Sequence, residues 1–143
     1  MSGTDACPVD VTVLLQREDG RVLLVPPPQP GPLAPPTGVL RHGEPVTARA
    51  LCEVRRQTGV GVDPGDLEFC HLVHRRTPGG QGRLGVVFTA QRWAGRLRPA
   101  VVWADPARPP ADRTPHTAAL LAEFNAGALL SLPGWAVANG GEA

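Results

Sequence analysis

Several charged side chains in one predicted helix and the loop before it are the best candidates for chemistry in this sequence. Glu53 has Arg49 four residues before it and Arg56 three residues after it, and residues at these separations share one helix face. Both guanidinium groups can therefore reach the Glu53 carboxylate. Guanidinium groups also bind phosphate or carboxylate ions through paired hydrogen bonds, so Arg56, with Arg41 from the loop, is a candidate anion contact. The alternative is a solvated ion pair worth about 0.2–0.5 kcal/mol.

Three further residues have a chemical and a structural interpretation. His42 is a candidate acid or base near Glu44, and its alternative is a solvated loop histidine. Trp103 could stack on a flat group of a ligand or anchor an irregular loop by apolar packing. Cys52 is more typical of inert helix packing than of a nucleophile.

A second group of polar residues follows in the next predicted strands. His71 and His74 are three apart, so on a strand they point to opposite faces and cannot share a metal. Three arginines flank a glycine-rich loop, where they form either a hydrated rim or a contact for an anion or a second subunit: Arg75, Arg76 and Arg83.

The elements that position these residues follow from hydrophobic periodicity and turn signals. The pattern predicts strands over 9–16, 21–25, 66–76 and 83–93 and helices over 45–58 and 114–125. The Asp19-Gly20 pair predicts a hairpin of the first two strands. Seven prolines within 26–36 predict an exposed, stiff loop, and 97–110 is predicted to be mostly irregular.

Residues 38–60 resemble the Nudix box, the motif of the Nudix hydrolase superfamily. That motif runs Gly, five residues, Glu, seven residues, then Arg-Glu-apolar-x-Glu-Glu-x-Gly-apolar. The chain matches it at six fixed positions: Gly38, Glu44, Glu53, Val54, Gly59 and Val60. It departs from it at three others: Cys52, Arg56 and Gln57. With the order of elements, the resemblance extends over roughly 9–135 and implies an α/β fold, a Nudix-like α/β/α sandwich with a mixed sheet.

The resemblance implies that carboxylates at positions 53, 56 and 57 hold the Mg²⁺ with which the family cleaves diphosphates. Here these positions read Glu53, Arg56 and Gln57, so two of the three expected metal carboxylates are missing. Mg²⁺ takes hard, preferably anionic oxygen ligands, and we therefore expect no metal cofactor. For a chain that still hydrolyses diphosphates, Glu53 and Glu44 are the candidate ligands of Mg²⁺ or Mn²⁺.

We therefore expect the chain to bind a nucleotide or another phosphorylated small molecule, with weak or absent metal-dependent pyrophosphohydrolysis. Glu53 and Glu44 are the candidate catalytic residues, and the candidate ligand contacts are Arg41, Arg49, Arg56, Gln57 and Trp103. One alternative is an atypical hydrolase of nucleoside-diphosphate-linked compounds that recruits Asp105 or Glu68, or a catalyst of metal-free chemistry in a biosynthetic pathway. The other is a regulatory or protein-interaction module.

The composition sets the remaining expectations. A chain of 143 residues with 42% hydrophobic residues suits one domain, assigned to 9–135 between tails 1–8 and 136–143. The formal charge of +1 provides no overall electrostatic field that would attract a nucleic-acid polymer or a membrane surface. Three cysteines without paired spacing and a start without a signal sequence predict a cytoplasmic protein, and the absence of lysine indicates a high-GC bacterial genome. The family resemblance also allows a homodimer.

Overall fold

A computed structural model of the protein describes residues 6–135. Its helices and strands in chain order are β1 Val9–Leu15, β2 Val22–Leu24, β3 Thr37–Val39, α1 Val46–Thr58, β4 Glu68–Arg76, β5 Gly82–Ala90, β6 Val102–Ala104, α2 Pro115–Ala126 and β7 Leu130–Ser131. Of the predicted tails, 1–5 and all of 136–143 lie outside the described residues. No helix in the described range is long and apolar enough to cross a membrane.

A five-stranded sheet in the order β3-β1-β5-β4-β7 forms the centre of the fold. β1 pairs antiparallel with β3 and parallel with β5, while β4 pairs antiparallel with β5 and parallel with β7. The sheet is therefore mixed, as the resemblance implies. A second sheet consists of β2 and β6 in antiparallel pairing.

The two helices cover opposite faces of the central sheet. Side chains alternate between the faces of a strand, and the neighbouring residues Val13 and Leu14 of β1 belong to different hydrophobic clusters. Val13 packs in the cluster that contains Val54 of α1. Leu14 packs in the cluster that contains Leu121 of α2. All four side chains are fully buried, and the predicted α/β fold with helices on both sides of a mixed sheet is confirmed.

Both helices end where the sequence predicts, because glycine accepts the left-handed conformation that stops a helix. Gly59 follows α1 with φ of 88°, and Gly127 follows α2 with φ of 73°. The start of α2 is fixed by Thr114, whose hydroxyl accepts a hydrogen bond from the Thr117 amide at 3.0 Å.

The predicted hairpin of the first two strands is wrong in its pairing. The turn at Asp19 and Gly20 exists, and Gly20 has φ of 88°, but the strands before and after it share only the bridge between Gln16 and Val22. Both edges of β1 are already occupied by β3 and β5. β2 consequently pairs with β6, a strand within the segment that was expected to be mostly irregular.

The other differences concern short strands. β3 follows the proline-rich loop directly and has only three residues, and β7 has only two. Neither carries enough residues for the alternation by which strands are recognised in a sequence. The backbone pairing that defines them comes from distant strands, β1 for β3 and β4 for β7.

Candidate functional site

Arg49 lies between the two glutamates of the box. Its Nε and Nη2 atoms donate to the two carboxylate oxygens of Glu44 at 2.8 and 3.0 Å. Its Nη1 donates to Oε2 of Glu53 at 2.9 Å. The side chains of Arg49 and Glu53 are only 6% and 5% exposed, so this ion pair is buried.

The second oxygen of Glu53 is also fully engaged. Oε1 accepts hydrogen bonds from both Nε and Nη2 of Arg56 and from Nε2 of Gln57 at 2.7 Å. Gln57 donates in addition to the carbonyl oxygen of Thr37 in β3 at 2.9 Å. The residues that replace the expected carboxylates therefore neutralise Glu53 and attach α1 to the neighbouring strand.

The box glycine permits the close approach of β3 to this carboxylate. A Cβ atom at Gly38 would lie 2.5 Å from both Cγ and Oε2 of Glu53, a distance at which no side chain fits. Glycine at this position is therefore required by packing. The sequence shows Gly38 as a fixed position of the motif, but only the structure supplies the contact that explains it.

The surrounding donors keep both carboxylates ionised. Hydrogen bonds from Arg49 and from the Arg41 amide lower the pKa of Glu44 to about 2. Burial by itself would raise the pKa of Glu53, but the three side chains that donate to it lower that pKa below its ordinary value. The same hydrogen bonds to Glu44 and Glu53 raise the pKa of Arg49. The cluster is thus a set of fixed charges at neutral pH.

These residues do not fit a Mg²⁺ or Mn²⁺ ion. Such ions need several oxygen ligands, preferably anionic, directed at one point, but guanidinium groups already neutralise both carboxylates, and all four carboxylate oxygens of Glu44 and Glu53 accept hydrogen bonds from protein donors. The cationic group of Arg56 lies on the Glu53 carboxylate. Within residues 6–135, no three histidine, cysteine, aspartate or glutamate residues are grouped so as to hold a metal.

A cavity of about 490 Å³ lies beside the last turn of α1. It is lined by Arg56, Gln57 and Arg98 together with residues of the proline-rich loop. The Arg56 side chain is 62% exposed, so it contacts Glu53 and still faces solvent. Arg98 is held in place because its Nη2 donates to the carbonyl oxygen of Arg56 at 3.0 Å. The arrangement offers two guanidinium groups to an anion.

Of the predicted ligand contacts, the structure brings Arg56 and Gln57 to this cavity and places the others elsewhere. Arg49 is occupied by the two glutamates and by a 3.6 Å contact with Sγ of Cys52. Arg41 is exposed in the loop and contributes its backbone amide to Glu44. Neither Arg41 nor Arg49 lines the cavity.

Trp103 packs on another part of the molecule. Its ring stacks on Trp93 with centroids 5.9 Å apart, and the guanidinium of Arg17 lies 4.7 Å from its centroid. These contacts correspond to the apolar anchor that the sequence suggested as one of two interpretations. Asp105 and Glu68, the carboxylates considered for an atypical hydrolase, do not line the cavity beside Arg56 either.

The remaining polar candidates have structural partners. His71 is 1% exposed and contacts the carbonyl oxygen of Ala128 at 2.7 Å and Oγ of Ser131 at 2.9 Å, which attaches the β7 segment to β4. Arg83 forms a pair of hydrogen bonds with Asp10 at 2.6 and 2.7 Å. His42 is exposed in the box loop.

Sequence reasoning missed Arg98 and the proline-rich loop as parts of the site. Arg98 lies in a segment without regular periodicity, 42 residues from the carbonyl oxygen that it contacts. The sequence predicts the proline-rich loop only as an exposed, stiff connection. Its position after β2 and immediately before the box was a signal that it could flank the same site.

Comparison with solved structures decides the fold. A MutT NUDIX hydrolase from Burkholderia pseudomallei matches with a TM-score of 0.69 at 21% identity, covering 82% of this chain and 98% of the other. The E. coli ORF135 protein matches with a TM-score of 0.70 at 21% identity, covering 88% and 94%. This chain has the Nudix fold. The fold that the resemblance implies is thereby confirmed.

A third match is the NUDIX domain of Shewanella oneidensis NrtR, whose structure was determined in complex with ADP ribose. Its TM-score is 0.62 at 21% identity, and the match covers 85% of this chain and 88% of that one. No family model matches the sequence, and no curated protein matches it. Within the Nudix fold, the helix that carries the box is α1, and the cavity lies at its C-terminal end.

Proposed function

We propose that this Nudix-fold protein binds a phosphorylated small molecule in the cavity beside Arg56, without a metal ion and with little or no hydrolysis of diphosphates. One observation carries the proposal. The carboxylate oxygens of the box accept hydrogen bonds from arginine, glutamine and backbone donors, while two arginines of the same region, Arg56 and Arg98, line the cavity.

The chemistry of Arg56 suits an anionic ligand. Arginine has five N–H donors, and Arg56 directs Nε and Nη2 toward Glu53. The donors of Nη1 are left for a ligand on the exposed side. Glu53 fixes the orientation of this guanidinium before a ligand arrives, and a fixed donor loses less entropy on binding.

Arg98 adds a second positive charge that the protein also orients. Its hydrogen bond to the Arg56 carbonyl lies at the C-terminal end of α1, where the helix dipole favours cations. Phosphate oxygens are strong acceptors for guanidinium donors. Two arginines that line one cavity therefore provide both the charge and the geometry for a phosphate group.

The match to the NUDIX domain of NrtR gives independent support, since that domain was crystallised with a phosphorylated small molecule, ADP ribose.

The cytoplasmic location and a homodimeric assembly stay predictions of the sequence. Hydrolysis through Glu53 and Glu44, with carboxylates recruited from elsewhere, is the competing function, and the experiment below separates the two.

The test is a thermal melt of the full chain with inorganic phosphate, methyl phosphate and ADP ribose, each with and without Mg²⁺. A ligand that binds only the native state stabilises it by about 2.7 kcal/mol at a hundredfold excess over Kd. We expect phosphate compounds to raise Tm to the same extent with and without the metal. Arg98→Gln should abolish this rise, whereas Arg108→Gln, which removes an exposed arginine that does not line the cavity, should preserve it.

Two results would overturn the proposal. One is a melt in which no phosphate compound changes Tm. The other is Mg²⁺-dependent release of phosphate from a panel of nucleoside diphosphate compounds that disappears in Glu53→Gln, because that result assigns Glu53 to metal-dependent catalysis.

A further inference from the structure

The proline-rich loop contributes a mostly apolar surface to the cavity, which we call the proline wall. Seven of the eleven residues that line the cavity are valine, alanine or proline. Five of them are prolines of the loop after β2: Pro26, Pro27, Pro28, Pro32 and Pro35. Proline has no backbone N–H, so this wall offers rigid hydrocarbon surface and few donors to a ligand.

The hydroxyl of Thr37 and the amide nitrogen of Gln57, both near that wall, make hydrogen bonds within the protein. The Thr37 hydroxyl lies 2.9 Å from the hydroxyl of Thr12 and donates to the carbonyl oxygen of Pro35 at 3.0 Å. The amide nitrogen of Gln57 donates to Glu53 and to the Thr37 carbonyl. Among the described residues that line the cavity, none is aromatic and none has a carboxylate.

These lining residues disfavour a ribose or a base against the proline wall. Sugar hydroxyls and base edges lose hydrogen bonds to water when they enter a site, and the loss is costly where the protein returns none. A base would also lack an aromatic ring to stack on. A hydrocarbon group meets no such penalty, and its burial against the prolines is favourable.

The proline wall is held in a defined position. Val25 and Ala34 exchange backbone hydrogen bonds of 2.8 and 3.2 Å across the loop. Leu33 is bound on both sides, donating to the Asp112 carbonyl at 3.0 Å and accepting from the Thr114 amide at 3.1 Å. The loop is therefore fastened to the segment before α2, and the apolar surface exists before a ligand binds, which reduces the cost of ordering it.

From this asymmetry we infer that the ligand is a phosphate or diphosphate ester of an aliphatic alcohol, with its phosphate on Arg56 and Arg98 and its hydrocarbon group on the proline wall. The inference rests on the proposed function, because it concerns the non-phosphate half of the same ligand. It narrows the ligand class from phosphorylated small molecules in general to those with an apolar group.

The experiment is a calorimetric titration of the full chain, without divalent metal, with methyl, butyl and hexyl phosphate and with ribose 5-phosphate. Burial of one methylene group increases affinity by up to about fourfold, so we expect Kd to fall by about twofold to fourfold for each carbon added. Ribose 5-phosphate should bind no more tightly than methyl phosphate. Hexyltrimethylammonium, which has the same chain but a cationic head, should not bind.

Three substitutions separate the two halves of the site. Pro28→Ser and Pro32→Ser change exposed loop residues and should reduce the dependence of Kd on chain length. Arg98→Gln should weaken the binding of all the phosphates by a similar factor. The series on the unmodified chain does not depend on any of these variants being stable.

Failure of the inference is distinct from failure of the proposed function. If methyl phosphate binds but Kd is the same for all three chain lengths, or if ribose 5-phosphate binds more tightly than hexyl phosphate, the apolar assignment is overturned and phosphate binding stands. If none of the phosphates binds, both are overturned.

Discussion

Replacement of Gly38 by alanine should destabilise the protein through one defined contact. Gly38 has no positive φ, so its backbone conformation accepts alanine, and any cost must come from the new methyl group. That group would lie 2.5 Å from Cγ and Oε2 of Glu53. Glu53 is 4% exposed and held by three side chains, so it cannot move aside without losing hydrogen bonds.

Insertion of a methyl group into a packed site costs about 1 to 3 kcal/mol. For a domain of this size, each kcal/mol lowers Tm by about 2 to 5 °C, and we expect a fall of about 2 to 15 °C. Thermal and urea unfolding, followed by far-UV circular dichroism, measure both quantities. The matched control is Gly79→Ala, since the nearest heavy atom to its new Cβ is Oγ1 of Thr77 at 3.9 Å and its φ is not positive.

A double-mutant cycle with Glu53→Ala isolates the contact. The alanine at position 53 removes the atoms with which the new methyl group collides. In the Glu53→Ala background, Gly38→Ala should lower the free energy of unfolding by no more than Gly79→Ala does. If Gly38→Ala lowers it equally with and without the Glu53 side chain, the steric explanation of the box glycine is refuted.

Three further predictions follow from the same cluster and from the β7 segment. Arg56→Glu combined with Gln57→Glu should bind Mg²⁺ more tightly than the unmodified chain in a calorimetric titration, and an unchanged affinity would contradict our account of the lost metal site. The pKa of Glu44 is about 2 in the folded protein against an ordinary value of 4.5, so its stabilising contribution is complete above about pH 5 and is lost as the pH falls toward 2. Tm of Glu44→Gln should therefore decline less over this pH range than Tm of the unmodified chain. If the two curves of Tm against pH are parallel, Glu44 is not the titrating group. His71→Phe should lower the free energy of unfolding by about 1 to 3 kcal/mol, because the part-buried carbonyl oxygen of Ala128 loses its partner. Urea unfolding measures this change, and an unchanged midpoint would exclude a stabilising role for that contact.

The helices could be predicted from the sequence because their signals are local. Gly59 and Gly127 end the two helices where the sequence indicates, and the i, i+3 and i+4 spacing gives the contacts of Glu53 with Arg49, Arg56 and Gln57. These statements need only helix geometry.

The pairing of short strands and the burial of charges could not be predicted, because both depend on distant residues. Asp19 and Gly20 indicate a turn but not that β1 is already paired on both edges. Arg49 reads as a surface residue of an amphipathic helix, yet Glu44 from the loop covers it. The apolar wall of the cavity depends on where the proline-rich loop is fastened, through backbone bonds to residues about 80 positions later.

The change from carboxylates to arginine and glutamine alters what the box can do chemically. A bound dication supplies open coordination positions and lowers the pKa of a water molecule attached to it. A guanidinium supplies charge and directed donors but no coordination position, so Arg56 on Glu53 can orient a phosphate without generating a hydroxide to attack it. Under the proposed function, the two missing carboxylates take away metal ligands that the Nudix motif implies, and Arg56 and Gln57 in their places add hydrogen-bond donors. For this reason the residues present favour recognition of a phosphate over its cleavage.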